Sequence, residues 1–140
     1  MTKKKILIAT GGTGGHIFPA LSLAKNLIKK NYDIILTTDK RGLKYLSDIN
    51  EINLKKITSS PLVKKNIFRL IYSALLICYS TVKSLFLLFL NRPHIIIGMG
   101  GYSSFPVCIA ATILRIKFTI YENNLIIGKA NKYLLQFAEK

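Results

Sequence analysis

The sequence Lys4-Lys5-Ile6-Leu7-Ile8-Ala9-Thr10-Gly11-Gly12-Thr13-Gly14-Gly15-His16-Ile17-Phe18-Pro19-Ala20-Leu21 runs from an apolar segment through a four-glycine turn into a segment of helical period. Lys4 to Thr10 shows no polar alternation, as expected of a strand covered on both faces of a sheet. Ile17 to Lys30 sets Leu21, Ala24, Leu27 and Ile28 on one stripe of a helix. A strand, a glycine turn and a helix in that order aim backbone amides and the positive end of a helix dipole at one point, which suits a phosphate or diphosphate. No Gly-Lys-Ser/Thr follows, so this is not a Walker loop, and it only approximates the G-x-G-x-x-G fingerprint. The competing reading is a tight turn kept for packing alone.

The alternation continues outward from this unit. Strands are expected over Asp33 to Thr38, Leu54 to Thr58, His94 to Gly98 and Phe118 to Tyr121. Helices are expected over Arg41 to Leu46, Asn66 to Leu90, Tyr102 to Leu114 and Lys129 to Ala138, with a break at Ser59-Ser60-Pro61. Alternating strands and helices imply α/β architecture, a Rossmann-like doubly wound parallel sheet, in a single domain spanning 1–140. A second glycine turn, Gly98-Met99-Gly100-Gly101-Tyr102, follows the fourth strand in the position the first turn holds after strand one. In a doubly wound sheet those two strands flank the switch point, so the turns should face each other across one crevice. Tyr121-Glu122-Asn123-Asn124, after the fifth strand, should reach the same edge. Three turns rich in Gly and Asn merely because turns favour them is the alternative.

Composition narrows the partners. The chain has 140 residues, half of them hydrophobic, with 21 Lys and Arg against 6 Asp and Glu, a net charge of +15 and two cysteines. A chain this apolar is not disordered, and it is neither collagen-like nor a disulfide scaffold. Cys78 and Cys108 both lie in apolar runs and are expected to be buried thiols. The Ile6 to Ala9 run is too short for a signal-peptide core. From Ile52 to Tyr121 there is no acidic residue, whereas Lys55, Lys56, Lys64, Lys65, Arg69, Lys83, Arg92, Arg115 and Lys117 are basic. That bias favours an anionic surface. Nucleic acid is not favoured, because the basic residues interleave with aliphatics and no nucleic-acid motif occurs. The segment Leu70 to Leu90 is divided by Lys83 into uncharged runs too short to span a membrane. It is expected either to lie in the membrane interface, with Phe68, Tyr72, Tyr79, Phe86 and Phe89 toward lipid and Lys64, Lys65 and Arg69 as a basic flank, or to pack inside the fold.

Three segments, ILIATGGTGGHIFPALSLAKNL from Ile6, IIGMGGYSSFPVCIAA from Ile96 and YENNLIIGKANKYL from Tyr121, together resemble the amino-terminal domain of the MurG-type glycosyltransferases of family 28. The resemblance covers essentially the whole chain. It implies the amino-terminal half of a GT-B fold and inverting transfer of GlcNAc from UDP-GlcNAc to the C4 hydroxyl of undecaprenyl-diphosphate-linked MurNAc-pentapeptide, in peptidoglycan synthesis. It further implies peripheral attachment to the cytoplasmic face of an anionic inner membrane. No cofactor and no metal are called for.

In this family the amino-terminal domain holds the lipid acceptor, and a carboxyl-terminal domain, expected here on another chain if present at all, holds most of the nucleotide sugar. By position, the resemblance assigns donor contacts to Thr13, Gly14, Gly15 and Asn124, and the placement of the second glycine turn across the same crevice adds Gly100, Gly101 and Tyr102 as candidate substrate contacts. It makes His16 the candidate catalytic residue, with Glu122 as an alternative base or a group orienting His16. The family's usual His-Glu-Gln-Asn is replaced by Tyr121-Glu122-Asn123-Asn124, which puts activity in question. A non-catalytic, membrane-recruiting subunit of a split transferase and an inactive truncated copy are the other readings.

Overall fold

The computed structural model describes residues 3–46, 52–59 and 66–139. Five strands, β1 (Lys5–Ala9), β2 (Asp33–Thr38), β3 (Asn53–Lys56), β4 (Ile95–Gly98) and β5 (Phe118–Ile120), alternate with five helices. The helices are α1 (Gly14–Lys29), α2 (Lys40–Leu43), α3 (Ile67–Asn91), α4 (Ser104–Ile113) and α5 (Lys129–Leu134). All strand pairs are parallel, in the order β3-β2-β1-β4-β5. The expected doubly wound architecture is therefore present, with its switch point between β1 and β4.

Because side chains alternate across a strand, β1 feeds two cores. Ile6 and Ile8 pack with Ile34 and Leu36 against Ile17, Ala20 and Ala24 of α1. Leu7 and Ala9 pack with Ile96 and Phe118 against the other layer, which contributes Leu88 of α3, Val107, Cys108, Ala110 and Ala111 of α4, and Leu134 of α5. Both faces of the central strands are thus dry, which explains why they read as unbroken aliphatic runs.

Four expectations need correction or a limit. Helix α1 begins at Gly14, not Ile17: Thr13 is extended (φ −114°, ψ 150°) and its carbonyl accepts the His16 and Ile17 amides at 3.0 Å each, so the last two glycines and His16 form the first helical turn. Helices α2 and α5 stop short of the expected ends at Leu46 and Ala138. Cys78 is exposed, whereas Cys108 is buried and desolvation pushes its thiol up to about 12. The break at Ser60-Pro61 and the basic flank Lys64 and Lys65 lie outside the described residues.

Cys78 is exposed because α3 is built inside out. Its buried positions are Ser73, Ser80, Ser84 and Leu88, while Phe68, Tyr72, Tyr79, Phe86 and Phe89 are 59–78% exposed. Small serines let α3 settle closely on α4. Two of the hydroxyls have partners, Ser84 Oγ donating to the Ser80 carbonyl at 2.7 Å and Ser80 Oγ reaching across to the Thr58 carbonyl. Attached along four turns of its inner face, α3 lies flat on the domain although its length and mean hydropathy of 1.8 would suffice to cross a membrane.

Candidate functional site

The two glycine turns meet at the carboxyl edge of β1 and β4. A Cβ placed on Gly11 would stand 2.6 Å from the Gly101 Cα, and one on Gly101 would stand 2.5 Å from the Gly11 Cα, so only two bare backbones fit. Gly100 and Gly101 have φ of +84° and +81°, a conformation that side chains resist. Ser103 fastens the crossing, its buried Oγ donating to the Thr10 carbonyl at 2.7 Å. Nothing in the spacing of the sequence singled out Ser103 for this bond.

Thr13, Gly14, Gly15 and His16 stand beside this crossing. Gly14 and Gly15 are the first two residues of α1, where backbone N–H groups have no intrahelical acceptor, and Gly15 is exposed with open space around its Cα. His16 is half-buried, and its Cε1 and Nδ1 lie 3.0 and 3.2 Å from where a Gly100 Cβ would be. The imidazole of the first turn therefore abuts the backbone of the second. Tyr102, which follows the second turn, is exposed.

The loop after β5 reaches the same edge through Asn123, whose side-chain amide donates to the Gly15 carbonyl at 3.0 Å. That carbonyl is available because its i+4 partner in α1 is Pro19, which has no N–H. Pro19 was thus the sequence signal for a free acceptor at Gly15; the turn containing Asn123 was expected at this edge and is there, but its bond to that carbonyl was not anticipated.

Glu122 organises this loop. One carboxylate oxygen accepts the Asn124 N–H at 3.2 Å and the Asn124 amide at 2.7 Å; the other accepts the Gly128 N–H at 3.2 Å and the Asn131 amide at 2.9 Å. Partial burial pulls its pKa up, but the four donors outweigh that and hold the carboxyl below its ordinary value. Asn131, buried on α5, also approaches Gly100 and so joins the loop to the second turn.

At the neighbouring strand end, buried Asp39 caps α2 by accepting the Arg41 and Gly42 N–H groups at 2.9 and 3.0 Å, and it pairs with the Arg41 guanidinium at 2.8 Å. Burial raises its pKa, and the Arg41 and Gly42 contacts reverse this to leave it lowered.

A parallel sheet carrying glycine-turn amides and an imidazole across its switch point defines a Rossmann-like, doubly wound domain with a candidate anion site at its carboxyl edge. Residues 6–140 match the Glycosyltransferase family 28 N-terminal domain, and the chain belongs to that family. It is 38% identical over 137 residues to the UDP-N-acetylglucosamine–N-acetylmuramyl-(pentapeptide) pyrophosphoryl-undecaprenol N-acetylglucosamine transferase of Pelagibacter ubique, covering 98% of this chain and 38% of that protein. It is 41% identical over 136 residues to the transferase of the same name from the Wolbachia of Brugia malayi, covering 96% of this chain and 37% of that one. The crystal structure of Acinetobacter baumannii MurG superposes with a TM-score of 0.84 at 28% identity, over 97% of this chain and 40% of that chain. The chain therefore spans somewhat over a third of the length of the relatives it matches.

Proposed function

We propose that this chain is the acceptor-binding half of an inverting glycosyltransferase that moves GlcNAc from UDP-GlcNAc to the C4 hydroxyl of MurNAc in undecaprenyl-diphosphate-linked MurNAc-pentapeptide. The observation that carries the reading is the crossing of Gly11 and Gly101 with His16 against Gly100, since it gathers amide donors and one titratable base in a single crevice. The names of the relatives supply the substrates.

Inverting transfer needs a base at the attacking hydroxyl and donors for the charge that develops on the departing diphosphate. His16 is assigned the base. The first-turn amides of Gly14 and Gly15 and the α1 dipole are assigned to diphosphate charge, and Thr13, Gly100, Gly101, Tyr102 and Asn124 to the substrate-facing wall. Glu122 is a poor base, with both oxygens engaged by four donors and its pKa lowered, so its assigned role is positioning: it fixes Asn124 and Asn131 around the site. The Asn123 amide reaches Gly15 despite its short side chain, which supports a working site in this chain.

The outward aromatic face of α3, in a half of the chain free of acids, is assigned to peripheral attachment at the cytoplasmic face of an anionic membrane, where a lipid-linked acceptor resides. The test is to join the chain to the carboxyl-terminal domain of one of its relatives and supply UDP-GlcNAc with the lipid-linked acceptor. GlcNAc transfer is the expected result, and a folded two-domain protein that binds both substrates without transfer would overturn the catalytic reading in favour of a recruiting subunit.

A further inference from the structure

At the opposite edge of the sheet from the glycine turns, a cavity of about 370 Å³ opens between the end of α3 and the turn joining α4 to β5. Four of its lining residues are Arg92, His94, Arg115 and Lys117, and no acidic side chain among the described residues lines it. Leu88, Leu114 and Ile116 give it apolar walls. Arg92 and Arg115 both hold left-handed backbone, at φ +40° and +54°, where glycine would meet no resistance. The Arg92 guanidinium is steadied over the Phe89 ring, 5.5 Å from its centroid. The Lys5 N–H donates to His94 Nδ1 at 3.2 Å, so in the neutral ring the proton sits on Nε2, leaving it free to donate.

The charge balance selects the ligand. Lys117 is paired with Glu139 at 2.5 Å in the adjoining hollow and is largely neutralised. The carboxyl ends of α3 and α4 each bring about half a negative charge to the cavity, so the two arginines leave a balance of about one positive charge. A phosphate monoester carries closer to two charges at neutral pH. A phosphodiester carries one.

We propose that this cavity binds the phosphodiester of an anionic phospholipid headgroup. The rim continues directly into the exposed apolar end of α3, with Phe86, Phe89 and Leu90 59–66% exposed, so a lipid whose phosphate sits in the cavity has apolar surface beside it for its chains. The site would pin the carboxyl end of α3 at headgroup depth and so set which way the glycine crevice faces. The proposal rests on the membrane reading of α3 given above, and one experiment separates the two.

Binding of the chain to phosphatidylglycerol/phosphatidylcholine vesicles is compared for the unaltered protein, the pair Arg92→Gly/Arg115→Gly, and the pair Arg69→Gln/Lys83→Gln, which removes the same charge elsewhere on α3. Glycine suits both left-handed positions, so the first pair should keep the unaltered melting temperature. Two charges near an anionic surface are worth about 30-fold non-specifically, the most that the control pair should lose, and the expected loss for the glycine pair is several times that. In solution, glycerophosphoglycerol should shift the His94 and Lys117 NMR signals saturably in the unaltered protein and not in the glycine pair. Equal vesicle losses for the two pairs, or inorganic phosphate binding more tightly than the diester, would overturn the headgroup site while leaving peripheral attachment intact. No binding of the unaltered chain to anionic vesicles would overturn both.

Discussion

Gly101 and Gly15 belong to the two turns at the carboxyl edge, and an added methyl group meets different surroundings at each. At Gly101 a methyl group meets the Gly11 backbone at 2.5 Å and the left-handed φ of +81° opposes it; at Gly15 it meets nothing within 4 Å. Gly101→Ala should therefore lower stability by about 2–4 kcal/mol in denaturant unfolding, whereas Gly15→Ala should unfold as the parent does. Any loss of substrate binding in Gly15→Ala then reports a ligand close to that amide. The four-glycine pattern of the first turn could not by itself tell these cases apart, because the sequence shows glycine but neither the partner it faces nor the helix start at Gly14. Glu122 illustrates the same limit. A lone acid beside a candidate base reads as catalytic, and only the four donors around it mark it as the organiser of its loop. With a folded-state pKa below the ordinary 4.5, its contribution to loop order is complete above that value and is lost as pH falls through the lower one. Glu122→Gln should remove that acid-side transition and, because its amide offers one acceptor oxygen in place of two, lose two of the four bonds and loosen the loop at every pH, followed by NMR of the Asn124 and Gly128 amides, while the sheet stays unchanged.

Helix α3 carries the lesson at the scale of elements. Its existence and ends were legible from length and period, and the observed Ile67–Asn91 differs from the expected Asn66 to Leu90 by one residue at each end. Of the two orientations left open, the one with Phe68, Tyr72, Tyr79, Phe86 and Phe89 outward is the one observed, but the residues that form the inner face were not legible. Nearly every position is apolar, and the few serines that would ordinarily mark a wet face are the ones packed inward, since small size matters more than polarity where helix meets helix. Ser84→Leu should consequently destabilise the domain by about 1–3 kcal/mol through overpacking, a direction opposite to what hydrophobicity alone suggests. Phe86→Ser and Tyr79→Ser on the outer face should leave the melting temperature nearly unchanged and weaken co-sedimentation with anionic vesicles. The shorter α2 depends on Asp39, which both caps it and holds Arg41, so Asp39→Ala should cost about 1–2 kcal/mol and expose the strand end beside Gly12.

For the molecule as a whole, the strand order β3-β2-β1-β4-β5 does the positioning. By setting β1 beside β4 it brings two turns nearly ninety residues apart in sequence into backbone contact, and the third turn is drawn in by the Asn123 bond to Gly15. The order followed from the alternation of runs and the general behaviour of doubly wound sheets, which is why the crevice could be anticipated when its contacts could not. One wall of a crevice does not close on a donor, so the 140-residue polypeptide alone should show no GlcNAc transfer in a steady-state assay. The most direct measurement is turnover by the two-domain protein, formed with a relative's carboxyl-terminal domain, carrying His16→Ala. The account predicts that kcat falls by roughly 10²-fold or more while both substrates still bind, because only the base has been removed from an intact cradle. Near-normal turnover by His16→Ala would contradict it.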